Sequence, residues 1–224
     1  MIKVLNLYAG VGGNRKNWTG VEVTAVENYA PLASVYRRLH PDDVVVEGDA
    51  HDFLLANYQD FDFIWSSPPC QTHSRMAKAT RHKLRRYTDL SLYEEIMLLR
   101  DKFKGGWVVE NVRPYYTPLI EPSFGVGRHM FWSNFNANLQ DVPRPANFIN
   151  LANLAGKEKL MDWLNIRFDE NIYYKGNHCP AQVLRNCVHP SIGQQVFDAW
   201  RGRPAVISRV GDLFNTHSME ADHG

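Results

Sequence analysis

The sequence has few cysteines and no long apolar run. Its three cysteines, Cys70, Cys179 and Cys187, lack the even, close spacing of a disulfide framework, which argues against a disulfide-stapled secreted domain. No stretch approaches the roughly 20 apolar residues of a membrane span. The chain enters a strand pattern directly at Ile2, without the pattern of a signal peptide. We therefore expect an unprocessed, cytoplasmic protein with reduced thiols.

A metal-binding pattern is also lacking. His178, Cys179, Cys187 and His189 lie near one another in the sequence. Their spacing has neither the Cys-x-x-Cys nor the His-x-x-x-His clip that zinc sites commonly use. We therefore expect no metal.

What the sequence does have is an uneven distribution of charge. The formal net charge is +1, yet residues 75–86 contain six Lys or Arg residues and no acid. Such a concentration indicates either a local contact with a polyanion or, as is commoner for charge runs, a solvated helix face. The position of this basic segment relative to other motifs has to decide between the two.

Hydrophobic periodicity predicts an α/β fold. Short β-branched runs alternate with helical patterns, as in the βαβ units of a parallel sheet. The predicted strands are 2–8, 21–26, 43–47, 61–66, 106–110 and 131–135, and the predicted helices are 31–39, 51–57 and 89–103. In a doubly wound sheet ligands bind beyond the carboxyl ends of the strands, so the residues directly after each strand are the candidates for function.

The ends of the first three predicted strands suggest an adenosine pocket. Residues 8–13 form a glycine-rich turn that lets the backbone approach a ligand, and Glu27 and Asp49 end the next two strands. Each feature alone is weak, because such a turn can be purely structural and a strand-end carboxylate is often only a helix cap. Together, and without a P-loop lysine, they favour S-adenosyl-L-methionine over ATP or NAD.

The next two strand ends carry candidate catalytic residues. Pro68 and Pro69 stiffen the backbone directly before Cys70, so the thiol stands on a rigid support at the ligand-binding edge. A lone cysteine is usually a buried packing residue, but a polar loop is a poor place for one. The fifth strand ends in Glu110-Asn111, which puts a carboxylate at the neighbouring edge. Seen alone, Glu110 could equally satisfy local backbone amides.

These motifs, in this order, resemble the DNA (cytosine-5) methyltransferase family, and most of all its short bacteriophage-type members. The motifs that carry the resemblance are Gly10-Val11-Gly12-Gly13, Glu27, Asp49, Pro69-Cys70-Gln71, Glu110-Asn111-Val112, Gly127-Arg128-His129-Met130-Phe131-Trp132 and Asn186-Cys187-Val188-His189-Pro190. The resemblance implies a Rossmann-like S-adenosylmethionine-dependent methyltransferase fold with a mostly parallel sheet. It also implies action on double-stranded DNA in the cytoplasm of a bacterium or phage-infected host. The alternatives are an RNA (tRNA) cytosine-5 methyltransferase and a catalytically silent nucleic-acid-binding relative.

The resemblance further implies roles for individual residues. Cys70 adds to C6 of a flipped-out cytosine, Glu110 engages ring atom N3, and Arg128 holds the O2 oxygen. The residues implied for cofactor binding are Tyr8, Ala9, Gly10, Gly12, Gly13, Glu27, Asn28, Asp49, Ala50, Pro69, Asn186 and Val188. The residues implied for DNA binding are Gln71, Ser74, Arg75, Lys78, Arg81, Lys83, Arg85 and Arg86. The family places a mobile DNA-closing loop directly after the cysteine, which favours the polyanion interpretation of the basic segment.

By the same resemblance the chain divides into four parts. We expect a catalytic and cofactor-binding core over residues 1–135 and a reduced target-recognition appendage over 136–177. A C-terminal motif with a helix that returns to the core would follow over 178–210, and a disordered tail over 211–224.

Three departures from the family pattern carry expectations of their own. Met130 stands where a second arginine is common, which predicts fewer or rearranged contacts to the cytosine. Arg185 stands where glycine is usual. It is either an ordinary surface or DNA-contacting arginine or, on a more speculative hypothesis, a cation that favours a cofactor with a carboxylate on the transferred carbon.

The third departure is the small size of the appendage. Few of its side chains can reach base edges, which predicts a short or degenerate target sequence unless a partner protein or second subunit supplies recognition. The side chains we would test first are Trp163, Asn165, Arg167 and Lys175.

Overall fold

A computed structural model describes residues 1–70, 73, 89–173 and 179–203. Within these residues the strands are β1 (Ile2–Leu7), β2 (Val21–Glu27), β3 (Val44–Glu47), β4 (Phe63–Ser66), β5 (Gly106–Val112), β6 (Phe124–Val126) and β7 (His129–Ser133). They form a seven-stranded sheet in the order β3-β2-β1-β4-β5-β7-β6. β1 to β5 are parallel, whereas β7 is antiparallel to both β5 and β6.

The predicted mostly parallel sheet is therefore confirmed. β5 runs to Val112, so Glu110 lies within this strand and not at its predicted end. Two further corrections concern the hairpin at the edge of the sheet. The three-residue strand β6 (Phe124–Val126) was not predicted. β7 begins at His129 and ends at Ser133, whereas the sequence predicted a strand over 131–135. Both errors have one cause: β6 is too short to show an alternating pattern, so the hairpin that sets the start of β7 was missed.

Helices cover both faces of the sheet. The helices of the described residues are α1 (Ala30–Leu39), α2 (Ala50–Asn57), α3 (Ser91–Lys102), α4 (Leu154–Leu164), α5 (Gln182–Asn186) and α6 (Pro190–Trp200). α2 and α3 pack on the face that carries Ile64 and Val109. α6 packs on the opposite face, against Phe63 and Val108, as expected because successive strand residues point to opposite faces. None of the described helices is long and apolar enough to cross a membrane.

The described part of the appendage shares a hydrophobic core with the catalytic region. Leu160 and Leu164 of α4 are fully buried and belong to one cluster with Leu32 and Val35 of α1 and Leu184 of α5. Because these side chains exclude water together, α4 is held against α1 and the C-terminal motif. The division of the chain at residue 136 stays a prediction, but the described residues that follow it pack into this shared core and form no separate one.

A buried lysine fixes the loop after α4. The Lys157 side chain is almost fully buried, and its Nζ donates to the carbonyl oxygens of Asp169 at 3.1 Å and Glu170 at 2.9 Å and to Oδ1 of Asn171 at 3.3 Å. The ammonium also lies 4.9 Å from the ring centroid of Phe168. A buried charge is tolerable only with such partners, so Lys157 ties the loop to the helix.

We expect Lys157→Met to destabilise the protein by roughly 1–3 kcal/mol, because it removes the charge-assisted hydrogen bonds that hold the loop after α4. Urea unfolding followed by circular dichroism measures the change. Lys159→Met is the matched control, since Lys159 lies on the same helix but is exposed. An equal loss in both variants would show that helix propensity, and not the buried contacts, is responsible.

Candidate active site

Loops at the carboxyl edge of the sheet enclose a cavity of about 520 Å³. The predicted cofactor-binding residues that line it are Tyr8, Ala9, Gly10, Gly13, Glu27, Asn28, Pro69, Asn186 and Val188. Cys70 and Glu110 line the same cavity. The structure therefore brings together residues from five chain segments that the sequence had connected only through the expected sheet.

The glycine turn after β1 is held by Glu27. Oε2 of Glu27 accepts a hydrogen bond from the amide of Gly10 at 2.9 Å, and Oε1 accepts one from the amide of Tyr29 at 2.9 Å. Burial raises the pKa of Glu27, and these amide bonds oppose that effect. Each carboxylate oxygen accepts more than one hydrogen bond, so Glu27 can fix the turn and still bind hydroxyl groups in the cavity.

Two further glycines of this turn serve packing. A Cβ on Gly13 would lie 2.6 Å from the carbonyl oxygen of Val188 and 3.0 Å from Cβ of Cys187, so the C-terminal motif rests directly on the turn. At Gly12 the φ angle is +76° and a Cβ would lie 2.3 Å from Nε2 of His40. Gly12 is not among the residues that line the cavity, and its predicted contact with the cofactor stays a prediction.

Asp49 and Ala50 lie beside the cavity rather than on its wall. Asp49 Oδ1 accepts from the amides of His51 at 2.8 Å and Asp52 at 3.1 Å, so this carboxylate caps α2. Ala50 is buried in the first turn of the same helix. The observed hydrogen bonds thus agree with the alternative that Asp49 only caps a helix. Cofactor binding by Asp49 and Ala50 stays a prediction.

A buried carboxylate supports the cavity wall at Tyr8. The Tyr8 hydroxyl donates to Oε1 of Glu95 at 2.6 Å, the Ser66 hydroxyl donates to Oε2 at 2.5 Å, and His51 Nδ1 lies 3.3 Å from Oε1. Glu95 is 0% exposed, and burial raises its pKa. The sequence reasoning missed Glu95. The sequence feature that points to Glu95 is an acid on the apolar face of α3, four residues before the buried Leu99.

The loop that carries Cys70 is fixed from both sides. The Asn111 side chain of β5 donates to the carbonyl oxygen of Pro68 at 3.0 Å, and the amide of the buried His73 donates to the carbonyl oxygen of Cys70 at 3.1 Å. Burial raises the pKa of the Cys70 thiol, the negative charge of Glu110 raises it further, and Arg128 lowers it. The nucleophilic thiolate is thus disfavoured while Glu110 is ionised.

Glu110, His129 and Arg128 form a hydrogen-bonded chain behind the cavity. Nδ1 of His129 lies 2.6 Å from Oε1 of the buried Glu110, and Nε of Arg128 donates to Nε2 of His129 at 3.3 Å. The Arg128 guanidinium also donates to the carbonyl oxygen of Arg185 and lies 5.5 Å from the ring centroid of Phe148. Burial lowers the pKa of Arg128. Arg128 acts electrostatically on Cys70 and Glu110 but does not line the cavity, so its contact with cytosine O2 stays a prediction.

The sequence reasoning looked at Met130 and missed His129. In the antiparallel pair β5–β7, Phe131 lies opposite Glu110 and Met130 lies opposite Asn111. Because side chains alternate along a strand, His129 and Phe131 share the face of Glu110, and Met130 points to the other face. The alternation was visible in the sequence, but using it required the register with β5.

Arg185 points away from the cavity. Its guanidinium donates to the carbonyl oxygen of Ile149 at 2.6 Å and to Oε1 of Gln182 at 2.5 Å, and it lies 3.3 Å from Sγ of Cys179. Arg185 does not line the cavity. The hypothesis that this cation meets a carboxylate-bearing cofactor therefore has no geometric support, because the side chain instead joins α5 to the short 3-10 turn Phe148–Asn150.

The appendage side chains proposed for base recognition are in part already engaged. Trp163 Nε1 donates to the carbonyl oxygen of Pro143 at 3.0 Å, and its indole packs 4.8 Å from the ring of His189 between centroids. Arg167 forms ion pairs with acidic side chains of α4. Asn165 ends α4 in the left-handed conformation, with φ of 51°. These roles explain the residues structurally and do not test base contacts.

Several predicted residues lie outside the described part of the chain. They are Gln71, Ser74, Arg75, Lys78, Arg81, Lys83, Arg85, Arg86, Lys175 and His178, together with the predicted tail 211–224. Among the residues that are described, no group of three or more His, Cys, Asp or Glu side chains is arranged to hold a metal ion.

A mostly parallel sheet with a glycine turn after β1 and an acid at the end of β2 defines the Rossmann-like class of nucleotide-binding enzymes. Within that class, the sequence profile of the C-5 cytosine-specific DNA methylases matches residues 2–118, more than half of the chain. The chain belongs to the C-5 cytosine-specific DNA methylase family. The family and the methyltransferase fold expected from the motifs are thereby confirmed.

Comparison with solved structures adds distant similarities. A conserved hypothetical protein of Streptococcus pyogenes is 14% identical, with a TM-score of 0.40, over 59% of this chain and 84% of its own. A DNMT2 variant of Spodoptera frugiperda is 26% identical, with a TM-score of 0.37, over 50% of this chain and 36% of its own. A protein described as a DNA modification methyltransferase of an Escherichia coli prophage is 21% identical, with a TM-score of 0.36, over 52% and 34%. No curated protein sequence matches the chain. The family assignment rests on the profile match alone.

Proposed function

We propose that the protein is a DNA (cytosine-5) methyltransferase that transfers a methyl group from S-adenosyl-L-methionine to C5 of a flipped-out cytosine through a covalent bond between Cys70 and C6. One observation carries this proposal. The thiol of Cys70, the carboxyl of Glu110 and the glycine turn with Glu27 line a single cavity of about 520 Å³, which is within the usual size range of small-molecule sites.

The cavity residues fit S-adenosylmethionine. Gly10 has a φ of +57°, and no other heavy atom lies within 4 Å of where its Cβ would be, so a ligand can approach this backbone closely. Glu27 would accept hydrogen bonds from the two ribose hydroxyls. Pro69 and Val188 supply apolar wall. When bound, the cofactor supplies a methyl group on a positively charged sulfur.

The chemistry that we assign to the chain centres on two residues. The Cys70 thiol loses its proton to water and Sγ bonds to C6 as Glu110 donates a proton to N3, and the C5–C6 π electrons make C5 nucleophilic toward the methyl carbon. C5 then bonds to the methyl carbon as the bond from that carbon to the cofactor sulfur breaks, with the electron pair staying on sulfur. Water accepts the C5 proton, the C5–C6 double bond returns as the Cys70–C6 bond breaks, and the N3 proton returns to Glu110. In this scheme Arg128 would neutralise charge at O2.

The effect of Glu110 on the pKa of the Cys70 thiol supports a coupling between protonation of Glu110 and attack by Cys70. An ionised Glu110 raises the pKa of the Cys70 thiol. Once Glu110 is neutral, by protonation or by sharing its proton with N3, that effect disappears and the thiolate becomes easier to form. Attack is therefore favoured only when the carboxyl can supply its proton, which suppresses the free thiolate between turnovers.

Parallel incubations test this proposal against its alternatives. Purified protein is given S-adenosylmethionine with a labelled methyl group and either duplex DNA or tRNA. We expect label in the DNA. Label in tRNA alone would support the RNA alternative, and label in neither would support a silent binding relative.

We also propose that the basic segment 75–86 binds DNA phosphates and that the protein acts in the cytoplasm. Its six cations should contribute a slope no steeper than about −5 to a plot of log affinity against log salt. Replacing Arg85 and Arg86 by Ala should flatten that slope by about 2. The exposed Arg100 and Lys159 are control sites. An unchanged slope in the double variant would favour a solvated surface instead.

A further prediction is a target of fewer than about four fixed base pairs, because each bidentate base contact needs a free side chain. In the described appendage Trp163 packs in the protein and Arg167 is ion-paired, which leaves few candidates. Methylation mapping on a random-sequence DNA library with purified protein measures the target. One motif of four or more fixed base pairs would overturn the prediction, and its appearance only with added host extract would indicate a recognition partner.

A further inference from the structure

We propose that His129 is a positioning residue that fixes the hydrogen bonding of Glu110 and so directs the acid proton of Glu110 toward the substrate. This inference rests on the proposed function, because it assigns a task to a residue beside the catalytic carboxyl. It stands on the chain of contacts from Arg128 through His129 to Glu110, with the 2.6 Å contact between Nδ1 of His129 and Oε1 of Glu110 at its centre.

The tautomer of His129 follows from its two partners. The guanidinium of Arg128 has only donors, and its Nε–H points at Nε2 of His129 at 3.3 Å. Nε2 must therefore accept and carry no proton. The ring proton of neutral His129 then lies on Nδ1, where it donates to Oε1 of Glu110. Arg128 thus sets which nitrogen of His129 bears the proton. His129 in turn sets which oxygen of Glu110 accepts the hydrogen bond from Nδ1–H.

This assignment leaves a defined task for the other carboxyl oxygen. Within the described residues, Glu110 forms its side-chain hydrogen bond through Oε1 to His129. A protonated Glu110 that accepts from Nδ1–H at Oε1 carries its own proton on Oε2. Because Glu110 lines the cavity with Cys70, Oε2–H is the group available to ring atom N3. Without His129 the carboxyl could rotate or place its proton on either oxygen.

His129 is well placed to hold this geometry. Its side chain is 13% exposed and that of Glu110 is 7% exposed, so water competes weakly for their hydrogen bond. The ring also packs against Phe131 of the same strand, with centroids 6.3 Å apart. The charged or ionisable groups that act on Arg128 are Glu110, Cys70, Arg144 and Cys187. Glu110 pairs with His129 and acts on Cys70 as well.

Two amide variants separate the contacts of His129. The amide nitrogen of Asn occupies the place of Nδ1, whereas the terminal group of Gln reaches the place of Nε2. His129→Asn therefore keeps a donor for Glu110, and His129→Gln keeps a partner for Arg128. His129→Phe keeps the ring and removes both contacts. Met130→Leu is the control, since Met130 lies next in the strand and points to the other face.

The measurement is the rate of covalent adduct formation with duplex DNA that contains 5-fluorocytosine, with cofactor affinity and melting temperature determined for each variant. We expect His129→Phe and His129→Gln to slow the adduct by about 10- to 100-fold, the worth of one hydrogen bond to the carboxylate that Glu110 becomes as it gives its proton to N3. His129→Asn should restore most of that loss. Cofactor affinity should stay at the wild-type value in all variants, and Met130→Leu should match wild type in rate.

The outcomes separate this inference from the proposed function. A wild-type protein that forms no adduct overturns both. A wild-type adduct with an equally fast His129→Phe adduct overturns the inference alone. Equal losses in the Asn and Gln variants, in step with weaker cofactor binding and lower melting temperature, would assign His129 a structural role and overturn it as well.

Discussion

Replacing Cys70 by alanine is expected to abolish methyl transfer and to leave the affinity for S-adenosylmethionine nearly unchanged. The loss should be at least about a thousandfold, because the covalent bond between Cys70 and C6 can no longer form. Binding should persist because the proposed cofactor contacts come from other residues of the cavity wall, Gly10, Glu27 and Val188. Turnover with labelled cofactor and titration calorimetry measure the two quantities separately.

A second thiol on the same cavity provides the control. Cys187 also lines the cavity, but burial raises its pKa to about 12, so it stays protonated at neutral pH. Cys187→Ala should still form an adduct with DNA that contains 5-fluorocytosine, whose fluorine blocks the final elimination. An adduct that forms equally with the Cys70→Ala protein would show that the nucleophile has been assigned wrongly.

Replacing Glu110 by glutamine is expected to lower the rate of transfer by about 10²- to 10⁴-fold, the usual contribution of a positioned general acid. Glutamine keeps an acceptor for Nδ1 of His129, so the fold around the site should persist, but it cannot give a proton to N3. Single-turnover transfer measures the effect. Glu121→Gln removes an exposed acid and controls for the change in charge.

The same variant should make the Cys70 thiol more reactive, although it slows methyl transfer. Because the charge of Glu110 raises the pKa of the Cys70 thiol, its removal lowers that pKa and increases the thiolate fraction at neutral pH. Alkylation of Cys70 by iodoacetamide should therefore be faster in Glu110→Gln while methyl transfer is slower. Parallel changes of both rates would contradict the acid role, since they would indicate simple damage to the site.

The parallel part of the fold could be predicted because local patterns determine it. β1 and β4 are short apolar runs, and the candidate residues Glu27 and Cys70 lie at or after the ends of β2 and β4, as the topology requires. The proximity of Cys70, Glu110 and Glu27 was inferred from that rule and from the family motifs. The predicted strand boundaries were less accurate, because β6 and the start of β7 depend on a hairpin that is too short to show periodicity.

The residues that were missed depend on contacts between distant segments. Glu95 shows in the sequence only as an acid on an apolar helix face, and its partners Tyr8 and Ser66 come from other strands. His129 became visible only with the register between β5 and β7. The speculative hypothesis that Arg185 lies near the cofactor depended on its neighbour Asn186, which belongs to a motif. A short helix, however, points adjacent side chains in different directions.

The most direct measurement of the central claim is mass spectrometry of the nucleosides from duplex DNA that has been incubated with purified protein and S-adenosylmethionine. The proposed function predicts 5-methylcytosine, formed by the wild-type protein and absent with Cys70→Ala. Methylation at an exocyclic nitrogen of cytosine or adenine, or 5-methylcytosine formed equally by both proteins, would contradict it.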